Sequence, residues 1–153
     1  MKPRIDYSEK FPDALRGLLR MEKYVHQSEL NRSLYELVKI RASQINQCAY
    51  CIDMHTKDAR HAGETEQRIY ALSAWRETSF FTEKERAALE WTEALTLISE
   101  SGVPDALYKR VREHFDESEL IALTLSVIAI NGWNRLAISM NTPAGTYQPG
   151  DHG

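Results

Sequence analysis

Cysteine is scarce in this chain, with only Cys48 and Cys51 among 153 residues. A structural disulfide framework needs an oxidising compartment and usually more cysteines, so the two thiols are left for redox chemistry or for a metal. Glycine and proline are also few, seven and five, and nearly all fall between segments with helical spacing of apolar residues. Strand-like alternation is almost absent. The formal net charge is −3, with both signs mixed along the chain. That leaves no basic patch able to track phosphates or an anionic lipid surface, so neither nucleic acid nor a membrane is an expected partner. No apolar stretch follows the charges of Met1 to Asp6, so no secretory signal is read and a cytoplasmic location is expected. The most apolar run, Leu120 to Ile130, is shorter than the roughly 20 residues that span a bilayer and reads as a buried helix.

What remains is a pattern of helices within one domain, 1–153. A helix is expected from Pro12 to about His26, with Leu15, Leu18, Leu19 and Val25 on one side and Pro12 tolerated in the first turn. A second runs from about Leu30 to Gln44. Asn46 and Gln47 interrupt the pattern, and a third helix from Cys48 to about Ala62 stops at Gly63. A shorter one follows from Thr65 to about Trp75. Thr82 and Glu85 make a capping box that opens a helix through Trp91 to about Ser99. After the turn residues Gly102 to Asp105 a helix carries Leu107, Val111 and Phe115. Asp116 and Glu119 then cap a last long helix to about Met140, apolar nearly all round, which must be central or covered by another subunit. The prolines and glycines of 141–153 make that stretch a tail or an arm.

Chemistry concentrates between Glu36 and His55. On a helix Cys48 and Cys51 lie one turn apart, and His55 lies one further turn along on the same face. With the break at Asn46 and Gln47, both cysteines fall in the first turn, where unpaired N–H groups and the helix dipole favour a thiolate. His55 can add positive charge or accept a proton. Glu36, on the preceding helix, is the carboxylate that could orient the imidazole if the two helices fold back on each other. Zinc is the competing use of these side chains; it would need a fourth ligand beyond Cys48, Cys51 and His55, drawn from Glu36, a distant histidine or water. Tyr50, between the cysteines, points elsewhere on the helix but could donate a hydrogen bond. His26, His61, His114 and His152 show no spacing related to the motif and read as surface or loop residues. Trp75, Trp91 and Trp133 fall on apolar stripes and read as core.

The pattern of Glu36, eleven residues, Cys48-Ala-Tyr-Cys51, three residues and His55 resembles the core motif of the AhpD-like alkylhydroperoxidases, within the carboxymuconolactone decarboxylase superfamily. The match is close from about Leu30 to Arg60, and Trp91 and the stretch Asn131 to Leu136 are similar to later family features. The resemblance implies an all-α AhpD-like bundle of about six or seven helices with a long apolar C-terminal helix and the core motif at 30–62. It implies a homo-oligomer, commonly a trimer or a hexamer. It also implies a thiol-dependent peroxidase in which Cys51 attacks the O–O bond, Cys48 resolves the sulfenic acid, and Glu36 and His55 relay protons. No bound cofactor is expected; an external dithiol, of lipoyl type in the family, would reduce the disulfide. Tyr50, Trp91 and Asn134 are candidate site-lining residues, with Asn131 and Arg135 as candidates for the site, an interface or interhelix hydrogen bonding. Tyr50 stands where the well-studied enzymes have histidine, so proton delivery there differs. Lactone decarboxylation is disfavoured, because that branch lacks the cysteine pair. The alternative is a redox sensor or a zinc-binding oligomeric protein without catalysis.

Overall fold

The computed structural model describes residues 2–151, except the side chain of Ser101. Among the described residues it is all-helical: α1 (Tyr7–Lys10), α2 (Arg16–His26), α3 (Arg32–Asn46), α4 (Ala49–His61), α5 (Glu66–Ala71), α6 (Glu83–Thr96), α7 (Ile98–Ser101), α8 (Asp105–Arg112) and α9 (Glu117–Met140), with 3₁₀ turns at Pro12–Leu15 and Leu72–Glu77. That is more helices than six or seven, and the difference lies in short pieces. Four-residue α1 precedes the first expected helix. The helix expected to reach Ser99 stops at Leu97, whose dihedrals (φ −105°, ψ 35°) leave the helical region, and resumes as α7. The helix expected over Thr65 to Trp75 tightens after Ala71 into 3₁₀ geometry, with Ala74 out of the helical region.

Caps explain the well-defined starts. Thr82 with Glu85, and Asp116 with Glu119, form reciprocal capping boxes at α6 and α9, each satisfying two N–H groups that the helix itself cannot.

Helix α3 lies at the centre, packed against α4, α6 and α9, while α9 also packs against α2 and α8. Leu37, Val38 and Ile40 of α3 are fully buried, each stabilising the fold by about 1.5–3 kcal/mol as an upper figure. Glu36, Lys39 and Ser43 of the same helix are buried too, and polar groups there must find partners within the protein. The 24 residues of α9 are long and apolar enough to cross a bilayer, a length that the run Leu120 to Ile130 understated. In this fold, however, Leu123, Val127 and Ile130 are at most 1% exposed, so α9 serves as a core helix. Its other side leaves Ile121, Ile128 and Ile138 about half exposed.

The link from α3 to α4 positions the cysteines. Gln47 adopts the left-handed conformation (φ 58°, ψ 39°), and the Cys48 N–H reaches back to the Ser43 carbonyl at 3.0 Å, which closes α3 in the manner of a Schellman motif. Glycine occupies such a position without the Cβ penalty. Gln47→Gly is therefore expected to raise stability by roughly 0.5–1 kcal/mol, read from the urea midpoint at unchanged slope.

The stretch after α9, described as far as Asp151, is tied back to α4. Gly145 donates its N–H to Asp53 at 3.0 Å, Lys57 donates to the Tyr147 carbonyl at 3.0 Å, and the Tyr147 hydroxyl donates to Asp58 at 2.7 Å. These bonds hold the segment along α4.

Candidate active site

Cys48 is the N-cap of α4, and its sulfur accepts the Cys51 N–H at 3.4 Å. One residue thus ends α3 and begins α4. Cys48 and Cys51 are joined as a disulfide with their Cα atoms 5.4 Å apart. Both are nearly inaccessible, at 1% and 2% exposure. They sit in an apolar cluster with Ala42 of α3 and Ile130 and Ala137 of α9, against which Tyr50 and Trp133 pack. Reduction would place thiols at a helix start, where the free N–H groups of the first turn stabilise a thiolate.

His55 lies one turn beyond Cys51 on α4. Its Nδ1 is 2.9 Å from Glu36 Oε2 on α3, and both side chains are buried. The antiparallel return of α4 along α3 brings this pair together across 19 positions of sequence. The other Glu36 oxygen faces the Arg32 guanidinium at 3.0 Å. Asp58 stands close by: donor atoms of Glu36, His55 and Asp58 lie within 4.8 Å of one another. These are the donors a divalent cation would meet, and the set contains no sulfur, unlike the zinc set suggested by the cysteine spacing. The neighbouring Arg32 charge opposes a cation there.

A second buried pair adjoins the first. Lys39, wholly buried, donates to Glu22 Oε1 of α2 at 2.5 Å. The Tyr35 hydroxyl donates to Glu22 Oε2 at 2.8 Å, and the Trp133 indole N–H donates to Glu22 Oε1 at 3.0 Å. Burial alone would raise the Glu22 pKa, but the Lys39 charge and the hydrogen bonds from Lys39 and Tyr35 outweigh it and hold the carboxyl low. Burial pushes the Lys39 ammonium down against the pull of Glu22 and Glu36, and raises the Tyr35 hydroxyl. Glu93 is likewise held low: burial raises it, while Trp75, Arg76 and Arg41 bind its charged form and win. Two carboxyls with folded pKa values below the unfolded one contribute stability that is complete above the unfolded value. That contribution is lost as pH falls through the folded values. Unfolding free energy is expected to decline as pH drops below about 4.5, and Glu93→Gln should flatten the decline measured by urea titration at several pH values.

The other sequence candidates are distributed unevenly. Tyr50 packs against the cysteine cluster, with its hydroxyl pKa raised chiefly by burial. Asn134 is fully buried between α3 and α9, donating to Ser43 at 3.0 Å and accepting from Asn46 at 2.9 Å. Asn131 accepts from the same Asn46 amide and donates to Thr96. Both asparagines therefore make interhelix hydrogen bonds, and Arg135 bonds back to Asn131 within α9. Trp91 is not brought to the cysteines; it belongs to a separate core cluster and donates to Thr124 at 3.1 Å. His26 is exposed, yet its ring centroid lies 4.9 Å from that of Tyr35, and Arg32 bonds to its Nε2. It is tied to the site's rim despite its unrelated spacing. His152 falls outside the described residues. The residues that spacing missed are Glu22, Arg32, Tyr35, Lys39 and Trp133. For Lys39 a signal was present, since a lysine on the same helical turn as Glu36 is one that burying Glu36 would bury as well. An open apolar groove of about 420 Å³ runs beside α9, lined by residues including Tyr7, Phe11, Leu18, Leu136 and Met140. None of Cys48, Cys51, His55 or Glu36 lines it.

Two cysteines bonded across the first turn of a helix, with a histidine and glutamate couple beside them, define a thiol–disulfide site on an all-α scaffold. The chain belongs to the carboxymuconolactone decarboxylase family, whose profile matches residues 12–94, and within it is AhpD-like. It is 53% identical over 144 residues to the uncharacterised protein YdfG of Bacillus subtilis strain 168, covering 94% of this chain and 98% of that one. A solved structure from Agrobacterium tumefaciens, of unknown function and described as a candidate AhpD antioxidant-defence protein, is 42% identical with a TM-score of 0.90. That match covers 95% of this chain and all of that one. The debrominase Bmp8 shares the fold at a TM-score of 0.80 and 18% identity, over 90% of this chain and 74% of its own.

Proposed function

We propose that the protein is a dithiol-dependent hydroperoxide reductase. The observation that carries this reading is the disulfide at the start of α4 beside the buried Glu36–His55 couple. In the reduced protein His55 takes the Cys51 proton while Glu36 holds the ring in place. The Cys51 thiolate attacks one peroxide oxygen and the O–O bond breaks. Cys51 becomes a sulfenic acid, the peroxide gains two electrons, and the departing alkoxide leaves as alcohol with the proton returned by His55. The Cys48 thiol then displaces water from the sulfenic acid and forms the disulfide. An external dithiol reduces it by exchange, becoming a disulfide itself.

Both sulfurs are covered in the oxidised chain, so exchange requires local opening around α4. Work in the cytoplasm fits this chemistry, since dithiol reductants are kept reduced there. Assembly of several copies is part of the proposal, supported by the half-exposed isoleucines Ile121, Ile128 and Ile138 along α9.

The test is consumption of an organic hydroperoxide by purified protein with dihydrolipoamide as donor. Turnover beyond one equivalent per chain supports the assignment. A disulfide that cycles with the donor while peroxide stays untouched would point to a sensor instead, and stoichiometric zinc resisting dialysis would point to a metal-dependent protein.

A further inference from the structure

The mechanism above makes no use of the buried Lys39–Glu22 ion pair. Lys39 has no solvent exposure, and placing an ammonium there is costly unless something offsets it. Its partner Glu22 accepts from donors on two other elements. Tyr35 of α3 bonds one oxygen, and Trp133 of α9 shares the other with Lys39. Each donor leads to a part of the redox site. Trp133 packs against the cluster that contains both cysteines. The Tyr35 ring stands edge-on to His55 with centroids 6.4 Å apart, and the Lys39 ammonium lies 4.7 Å from the centre of that same ring.

Resting on the redox reading, we infer that Glu22 is a positioning residue that holds Trp133 against the cysteines and Tyr35 against His55, and that Lys39 keeps this carboxylate from adding net charge to the site. The reason lies in charge balance. The charged groups around the Glu36–His55 couple are Glu22 from α2, Arg32, Glu36 and Lys39 from α3, and Asp58 from α4, with the exposed His26 of α2 bonded to Arg32. Within this set the Glu22–Lys39 pair adds no net charge, so a thiolate formed at Cys51 meets the field of Glu36, Arg32, Asp58 and His55 alone. Removing either member of the Glu22–Lys39 pair leaves an excess of one sign in a low-dielectric region, where charge is felt strongly.

The experiment uses the full chain, reduced, with the rate of Cys51 alkylation by iodoacetamide followed against pH in parallel with thermal melting. Lys39→Met, which leaves Glu22 uncompensated, is expected to move the alkylation midpoint up by about half a pH unit or more. Glu22→Gln, which leaves Lys39 in excess, is expected to move it down. The double variant should return close to the wild type. Opposite shifts that cancel in the double variant establish the charge role, because a merely structural pair would lower melting in both single variants without shifting the midpoint in opposite directions. Midpoints that stay put, or that move the same way in both, overturn the inference. Should Lys39→Met fail to fold, Glu22→Gln decides alone: a lower midpoint supports the inference, and an unchanged or higher one overturns it. Alkylation needs no peroxide, so absent peroxide turnover in the wild type would sink the redox assignment without touching this result, and the reverse also holds.

Discussion

Cys51→Ser is expected to bring dithiol-dependent hydroperoxide consumption to the buffer background, a loss of about 10³-fold or more, while the fold persists. The fold should survive because serine is nearly isosteric, and because the backbone hydrogen bonds that set the α3–α4 junction, Cys48 N–H to Ser43 among them, do not involve the Cys51 sulfur. Cys48→Ser should behave differently. One equivalent of peroxide is consumed, the sulfenic acid accumulates on Cys51, and a dimedone adduct appears by mass spectrometry, since no neighbouring thiol remains to displace water. Equal turnover in wild type and Cys51→Ser would remove Cys51 from the chemistry. The two variants therefore test the order of events as well as the identity of the thiol.

The second large effect concerns the proton path. Glu36→Gln keeps the size of the side chain but removes the negative charge behind His55, and His55→Ala removes the ring. Each is expected to lower turnover by about 10²-fold, and the pair together by little more than either alone, because the two act as one unit. Glu36→Gln also leaves the Arg32 guanidinium, 3.0 Å from the carboxylate, without its counter-ion. A modest fall in melting temperature is expected in that variant, and it should be relieved by adding Arg32→Gln without recovery of turnover. Turnover and melting temperature measured side by side separate the two effects, since Arg32→Gln acts on the ion pair and not on the proton path.

Sequence and structure agree at the two capping boxes and at the start of α4, where local chemistry decides the outcome. Capping boxes at Thr82 and Asp116 are satisfied within four residues, so they could be read without knowing the fold. The start of α4 at Cys48 is local in the same sense, following from the interruption at Asn46 and Gln47. The short helices α1 and α7 escaped because four residues carry too little periodicity to register. The end of α6 escaped because Leu97 is apolar and continues the pattern while its backbone does not. Trp91 shows the limit from the other side. It lies on an apolar stripe and in a stretch similar to the family, yet its side chain packs in a different core cluster from the cysteines.

What the amino-acid sequence determined by itself is the helical class, the placement of both cysteines in one first turn, and the location of His55 one turn further along. These rest on spacings of three and four residues, within which a helix brings side chains together whatever surrounds it. Tertiary structure alone decided that Glu36 meets His55, that Glu22, Tyr35 and Trp133 converge on one buried carboxylate, and that the sulfurs are covered. Such contacts join residues up to 111 positions apart. They exist because buried polar groups on α3 must find partners, and only the packing of α2, α4 and α9 around that helix determines which ones are within reach.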